Sequence, residues 1–204
     1  MDIVDTAVTG IVLAGGMSSR LGRDKGGIVL GRPGGADLVT RAARLLKTFL
    51  PRVIIAGRAH ADFEYLHDDV PGMGPAGAVA GALRRTGASC LVLACDLPFM
   101  NAATVSLLLQ AWRQRPEGTL LTAFANRENG RKESLVAIYS PLSLRYFEHC
   151  LLERKLAISR IVPENAQYLI PYGLEESLPF FSINYPADLQ AAMRILETHP
   201  EPRP

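Results

Sequence analysis

Two segments of this sequence carry residues suited to gripping phosphates. The first is L-A-G-G-M-S-S-R-L-G-R-D-K, residues 13–25, in which Gly15 and Gly16 follow an apolar run and precede Arg20 and Lys25. Glycine lets backbone N–H groups approach an anion and point at it. The two cations add full positive charge for phosphate oxygens. Two other phosphate loops do not fit. Gly15 and Gly16 are adjacent, with the next glycine at Gly22, and Lys25 lies between Asp24 and Gly26 rather than before Ser or Thr. Glycine content alone leaves two readings open, an anion cradle or a connecting turn with solvated bases. The second segment, L-V-L-A-C-D-L-P-F-M, residues 91–100, ends an apolar run at Asp96. A carboxylate there, facing a triphosphate, suits Mg²⁺. On the residues alone, a cap for a helix prepared by Pro98 and Asn101 is the favoured reading.

These residues need a frame. Residues 8–14, 53–56 and 90–95 are short apolar runs and read as buried strands. Leu38, Val39, Ala42, Leu45, Leu46 and Phe49 recur at helical spacing across residues 36–49. A small-residue helix opens at Gly74-Pro75 and runs to about Arg85; Val105, Leu108, Leu109 and Trp112 mark another. Strands are expected at 119–124, 135–139, 168–170 and 180–183, and helices from Pro141, near 156–162 and from Pro186. This β-α-β-α-β order predicts one three-layer α/β/α, Rossmann-like domain with a mainly parallel, mixed sheet and a core over about residues 8–197. Ligands of such sheets bind beyond the carboxyl ends of the strands. That gathers the loops after Ala14, Ala56 and Cys95.

The 204 residues are 48% hydrophobic and 21% charged, enough for a sizeable core without disulfide or metal staples. A net charge of +2 is too weak to argue for nucleic acid or a membrane surface. Arg20, Arg23, Lys25 and Arg32 cluster early, which points to a local anion site. No apolar run approaches the roughly 18 residues of a membrane span. The acidic start M-D-I-V-D-T is unlike a signal peptide, and the Pro-rich end is expected to fray. Cys90, Cys95 and Cys150 lack zinc spacing and read as reduced thiols, so a cytoplasmic protein is expected. His60, His67, His149 and His199 form no triad, and Trp112, Phe180 and Phe181 read as core.

Residues 13–25 resemble the signature L-x-G-G-x-S-x-R-M-G-x-D-K of the molybdenum cofactor guanylyltransferases (MobA-type), a branch of the nucleotidyltransferase superfamily. Leu21 replaces Met, and every other specified position matches. The resemblance extends over residues 10–189. In C-D-L-P, Asp96 takes the place of the family's metal-binding aspartate. H-D-D-V-P-G-M-G-P-A-G resembles a stretch of the nucleotide site, with Asp68 at its acidic position and Ala76 in place of Leu. Gly74, Pro75 and Gly77 would bring a helix N-terminus near base or ribose. F-F-S-I-N-Y-P-A-D-L resembles F-x-N-x-N-T-P-E-D-L, keeping Asn184 but placing Ser182 at the first asparagine and Tyr185 at the threonine. Asn184 would orient a phosphate or the acceptor, or else cap the helix from Pro186. E-S-L-V-A-I-Y-S resembles P-L-x-A-x-Y-S, with Ser134 for Pro; Lys132 and Glu133 precede it, expected toward the acceptor. Ala56 offers only backbone where some members have a base-contacting asparagine.

The resemblance implies a single nucleotidyltransferase-fold domain over residues 1–204. It implies transfer of GMP from GTP to the phosphate of molybdenum–molybdopterin, with release of pyrophosphate. Leu13, Ala14, Gly15, Gly16, Lys25, Asp68, Gly74 and Asp96 would bind the nucleotide. Lys25, Arg20 and Asp96 would carry catalysis, with Asp96 holding Mg²⁺. Ser182 and Asn184 would orient phosphate or acceptor. A monomer or weak oligomer is expected, in transient contact with molybdoenzyme maturation proteins. Two rivals stay open. One is CMP transfer to molybdopterin or another small-molecule nucleotidyl transfer. The other is a catalytically silent GTP-binding assembly protein, kept alive by Ala56, Ala76, Ser134 and Ser182.

Overall fold

The computed structural model describes residues 7–15, 26–30, 35–67 and 72–198. Seven strands form one sheet: β1 (Val8–Leu13), β2 (Val53–Ala56), β3 (Glu64–Leu66), β4 (Ser89–Ala94), β5 (Leu121–Asn126), β6 (Lys132–Tyr139) and β7 (Gln167–Tyr172). Their spatial order is β3-β2-β1-β4-β6-β5-β7. Only β6 runs against its neighbours, so the sheet is mixed and mainly parallel. Helices α1 (Leu38–Lys47) and α3 (Ala102–Gln114) cover one face; α2 (Gly74–Thr86) and α4 (Leu144–Leu152) cover the other. The expected three-layer α/β/α domain is what the chain forms.

The central strands are apolar on both faces because both faces are covered. All six residues of β1 are buried, and Ile11 and Leu91 are fully so. Each such side chain contributes about 1.5–3 kcal/mol relative to exposure. Side-chain caps start two helices: Asp37 Oδ1 accepts from Thr40 N at 2.7 Å, and Asn101 Oδ1 from Thr104 N at 3.0 Å. Helix α5 (Pro186–Thr198) packs Leu189 and Ala192 with Ile28, Leu30 and Leu38 in a third, smaller cluster.

Three elements differ from the sequence reading. No strand forms over residues 180–183. Leu178–Phe180 is a short 3-10 turn, because Pro179 cannot donate to a ladder, and Phe180 is held instead by ring contacts with Phe124 and Tyr172. Near residues 156–162 there is only a 3-10 turn, Ile158–Arg160. The helix from Pro141 begins as a 3-10 turn, Pro141–Ser143, before becoming α4. The edge strand β3 gave no sequence signal. It is three residues long, largely exposed, and joined to the start of β2 by the Arg52–Glu64 ion pair at 2.6 Å.

Candidate active site

The parallel strands finish in line. Leu13 of β1 pairs with Ala56 of β2 and Ala94 of β4, and Ala56 with Leu66 of β3. Chain order β1–β2–β3 runs outward on one side, and β4 returns to the other side of β1. The topological switch point, where such sheets bind ligands, therefore lies between β1 and β4. Ala14 and Gly15 leave the sheet on one side of it, Cys95 and Asp96 on the other. Cys95 N donates to Leu13 O at 3.2 Å and Ala14 N to Ala56 O at 2.8 Å, which ties all three loops to one edge.

Ala14 is half-buried and Gly15 exposed, so the turn after β1 opens to solvent. Gly57, after β2, packs hard against it. A Cβ on Gly57 would sit 2.4 Å from Gly15 Cα and 2.5 Å from Gly15 N, and Gly57 has φ +98°. Only glycine fits on either count. Sequence reading passed over Gly57, although the A-G-R triplet directly after a strand was the available signal. Gly74 opens α2 with φ +57°. As the crossover between parallel β3 and β4, α2 must run back along the sheet, so its N-terminus lies at this same edge. Gly16, Arg20, Lys25 and Asp68 lie outside the described residues.

Asp96 is half-buried just past β4. The cap of α3 is Asn101, so the Asp96 carboxylate does not start that helix. Its backbone carbonyl accepts from Ile183 N at 2.9 Å, which draws residues 182–184 alongside. Asn184 Nδ2 donates to Ser182 Oγ at 2.7 Å, so the serine at the first position of this pair still engages its partner. Asp188 Oδ2 accepts from both Asn184 N and Tyr185 N at 2.8 Å.

Asp96, Ser182 and Asn184 line one cleft of about 720 Å³, with the start of β6 and residues 158–164 as its far wall. Lys132 Nζ bridges that wall to Glu164 Oε1 at 3.4 Å. Glu133 is buried, and its Oε1 accepts from the Tyr172 phenol at 2.7 Å. Burial and the adjacent Glu133 push the Tyr172 phenol up to about 12. Tyr172, Gln167 and Arg160 were not singled out by sequence because they reach this wall from distant segments with no common motif.

The remaining side chains are structural. Trp112 is buried with the Arg115 guanidinium over its ring, and Phe180 is core. His60 Nε2 meets Thr40 Oγ1 at 3.1 Å and His149 lies 3.5 Å from Glu153; His199 is outside the described residues. Cys90, Cys95 and Cys150 form no disulfide among the described residues, and burial pushes the Cys90 thiol up to about 11, leaving it protonated and unreactive. No helix among the described residues is long and apolar enough to cross a membrane.

The site combines an open turn at the switch point, a carboxylate across from it and a polar cleft beyond. Several known proteins are similar to this chain. The probable molybdenum cofactor guanylyltransferase of Pelotomaculum thermopropionicum is 29% identical over 203 residues, covering 93% of each chain. The molybdenum cofactor guanylyltransferase of Rhizobium meliloti is 30% identical over 198 residues, 89% of this chain and 88% of that one. Among solved structures, molybdopterin-guanine dinucleotide biosynthesis protein A from Archaeoglobus fulgidus superposes with a TM-score of 0.75 at 23% identity, covering 93% of this chain and 99% of the other. The model of the MobA-like NTP transferase domain matches residues 10–167. The chain belongs to that family and is a nucleotidyltransferase.

Proposed function

We propose that this enzyme transfers GMP from GTP to the terminal phosphate of molybdenum–molybdopterin, yielding the guanine dinucleotide form and pyrophosphate. One observation carries the reading. Asp96 lies at the seam between the open turn after β1 and the cleft lined by Ser182 and Asn184. In this reading the turn side takes the nucleotide and the cleft side the acceptor. The curated relatives named molybdenum cofactor guanylyltransferase support this choice of substrates.

The donor set suits Mg²⁺. It offers hard oxygen ligands, a carboxylate on Asp96 with the Asn184 amide and Ser182 hydroxyl in the same cleft. Among the described residues no cluster of three metal-binding side chains exists. Mg²⁺ commonly takes one or two carboxylates and completes its shell with substrate phosphates. When bound, Mg²⁺ would supply charge neutralisation on the triphosphate. Lys25 and Arg20, with the Gly15 and Gly16 amides, offset charge developing on pyrophosphate. The attacking phosphate is already anionic and needs no strong base, so the chain contributes mainly position and charge.

Mass spectrometry of products formed from molybdopterin with GTP, CTP, ATP or UTP tests the reading. The guanine dinucleotide is expected as the dominant product. Exclusive turnover of CTP would overturn the guanylyl assignment, and no product with any nucleotide would overturn the acceptor.

A further inference from the structure

The far wall of the cleft is built on an irregularity in β6. Ala125 pairs with Lys132 and Ala123 with Ala137, while β4 pairs no further along β6 than Val136. Residues 133–135 thus have no register partner on either neighbouring strand, and such a bulge re-aims its side chains. The buried Tyr139 phenol donates to Ser134 O at 2.9 Å and so supports the bulge from within the core.

Glu133 is fixed from one side only. Its Oε1 receives the Tyr172 hydroxyl at 2.7 Å and lies 3.5 Å from Arg131 Nε. Its Oε2 receives no hydrogen bond from the described residues. Two neighbours on this wall carry buried polar atoms without a partner. Ser134 Oγ is buried with no partner, and so is Gln167 Oε1. The Gln167 amide is oriented by Nε2 donating to Val162 O at 2.7 Å, which leaves its oxygen as the acceptor. Buried polar atoms are normally paired, and the Gln167 oxygen and the Glu133 carboxylate can only accept, so this wall suits a ligand that brings donors.

We propose that Glu133, held by Tyr172, determines acceptor specificity by receiving N–H donors from an amino-substituted nitrogen heterocycle. The assignment rests on the proposed acceptor reading of this cleft. It places the donor-bearing ring against the β6 bulge.

Steady-state kinetics of Glu133→Gln with Mg-GTP and molybdopterin test it. Glutamine keeps an oxygen for Tyr172 but removes the charge. The molybdopterin KM is expected to rise about 10- to 100-fold, the range for losing a hydrogen bond to a charged group. The kcat and the GTP KM should stay within about twofold, a split that a general structural defect would not produce. Tyr172→Phe, which releases the carboxylate without removing it, should raise the same KM about 3- to 10-fold. It carries the test if Glu133→Gln fails to fold. An unchanged molybdopterin KM in both variants, with wild-type enzyme forming product, would overturn the inference and leave the proposed function standing. Absence of product from wild-type enzyme would overturn both.

Discussion

Asp96→Asn is expected to lower turnover by about 10²–10³, the usual cost of losing one contact that stabilises developing charge. The fold should survive. Asp96 is half-buried, and the bond that draws residues 182–184 alongside it, from Ile183 N to the Asp96 carbonyl, belongs to the backbone. Helix α3 keeps its cap on Asn101. Asparagine matches aspartate in shape and removes only the charge, so circular dichroism and Tm should stay near wild type. Under the proposed reading the variant should also need more Mg²⁺ to reach half-maximal rate. Near-normal turnover at saturating Mg-GTP would remove Asp96 from the chemistry.

Gly57→Ala should be as damaging by a different route. The added methyl would lie 2.4 Å from Gly15 Cα and 2.5 Å from Gly15 N. Both are backbone atoms, so no flexible side chain can swing aside. The φ of +98° adds strain of about 1–3 kcal/mol for any residue but glycine. Overpacking adds about 1–3 kcal/mol more. The turn after β1 must then shift, and with it the Gly15 amide that the proposed function assigns to the nucleotide. Displacement of about 1 Å at a positioning group can cost about 10²-fold in rate. Thermal melts and kcat/KM for GTP should therefore fall together. A variant with wild-type Tm and kcat/KM would show that the two turns are not packed as described.

Much of the frame was legible because it follows from burial. The runs at β1, β2 and β4 are apolar through and through, as covered parallel strands must be, and α1 and α3 show helical spacing with side-chain caps at Asp37 and Asn101. The failures were local. Phe180 and Phe181 have the β propensity of a strand, yet their aromatic bulk serves ring packing beside a proline turn. Strand β3 is short and exposed, so it has no apolar period to detect.

The candidate site was legible in the same uneven way. Asp96, Ser182 and Asn184 carried motif signals, and they line one cleft. Gly57 carried little, because what makes it irreplaceable is a contact with Gly15 on another loop. The Glu133–Tyr172 pair spans 39 positions and depends on a bulge in β6, which no local pattern announces.

Nucleotidyl transfer is tested most directly by pyrophosphate release from GTP, measured with and without molybdopterin. Transfer at this site predicts release only with acceptor present, in one-to-one ratio with the guanine dinucleotide product. GTP binding with no pyrophosphate released in the presence of acceptor would contradict it and would mark the chain as a silent assembly protein.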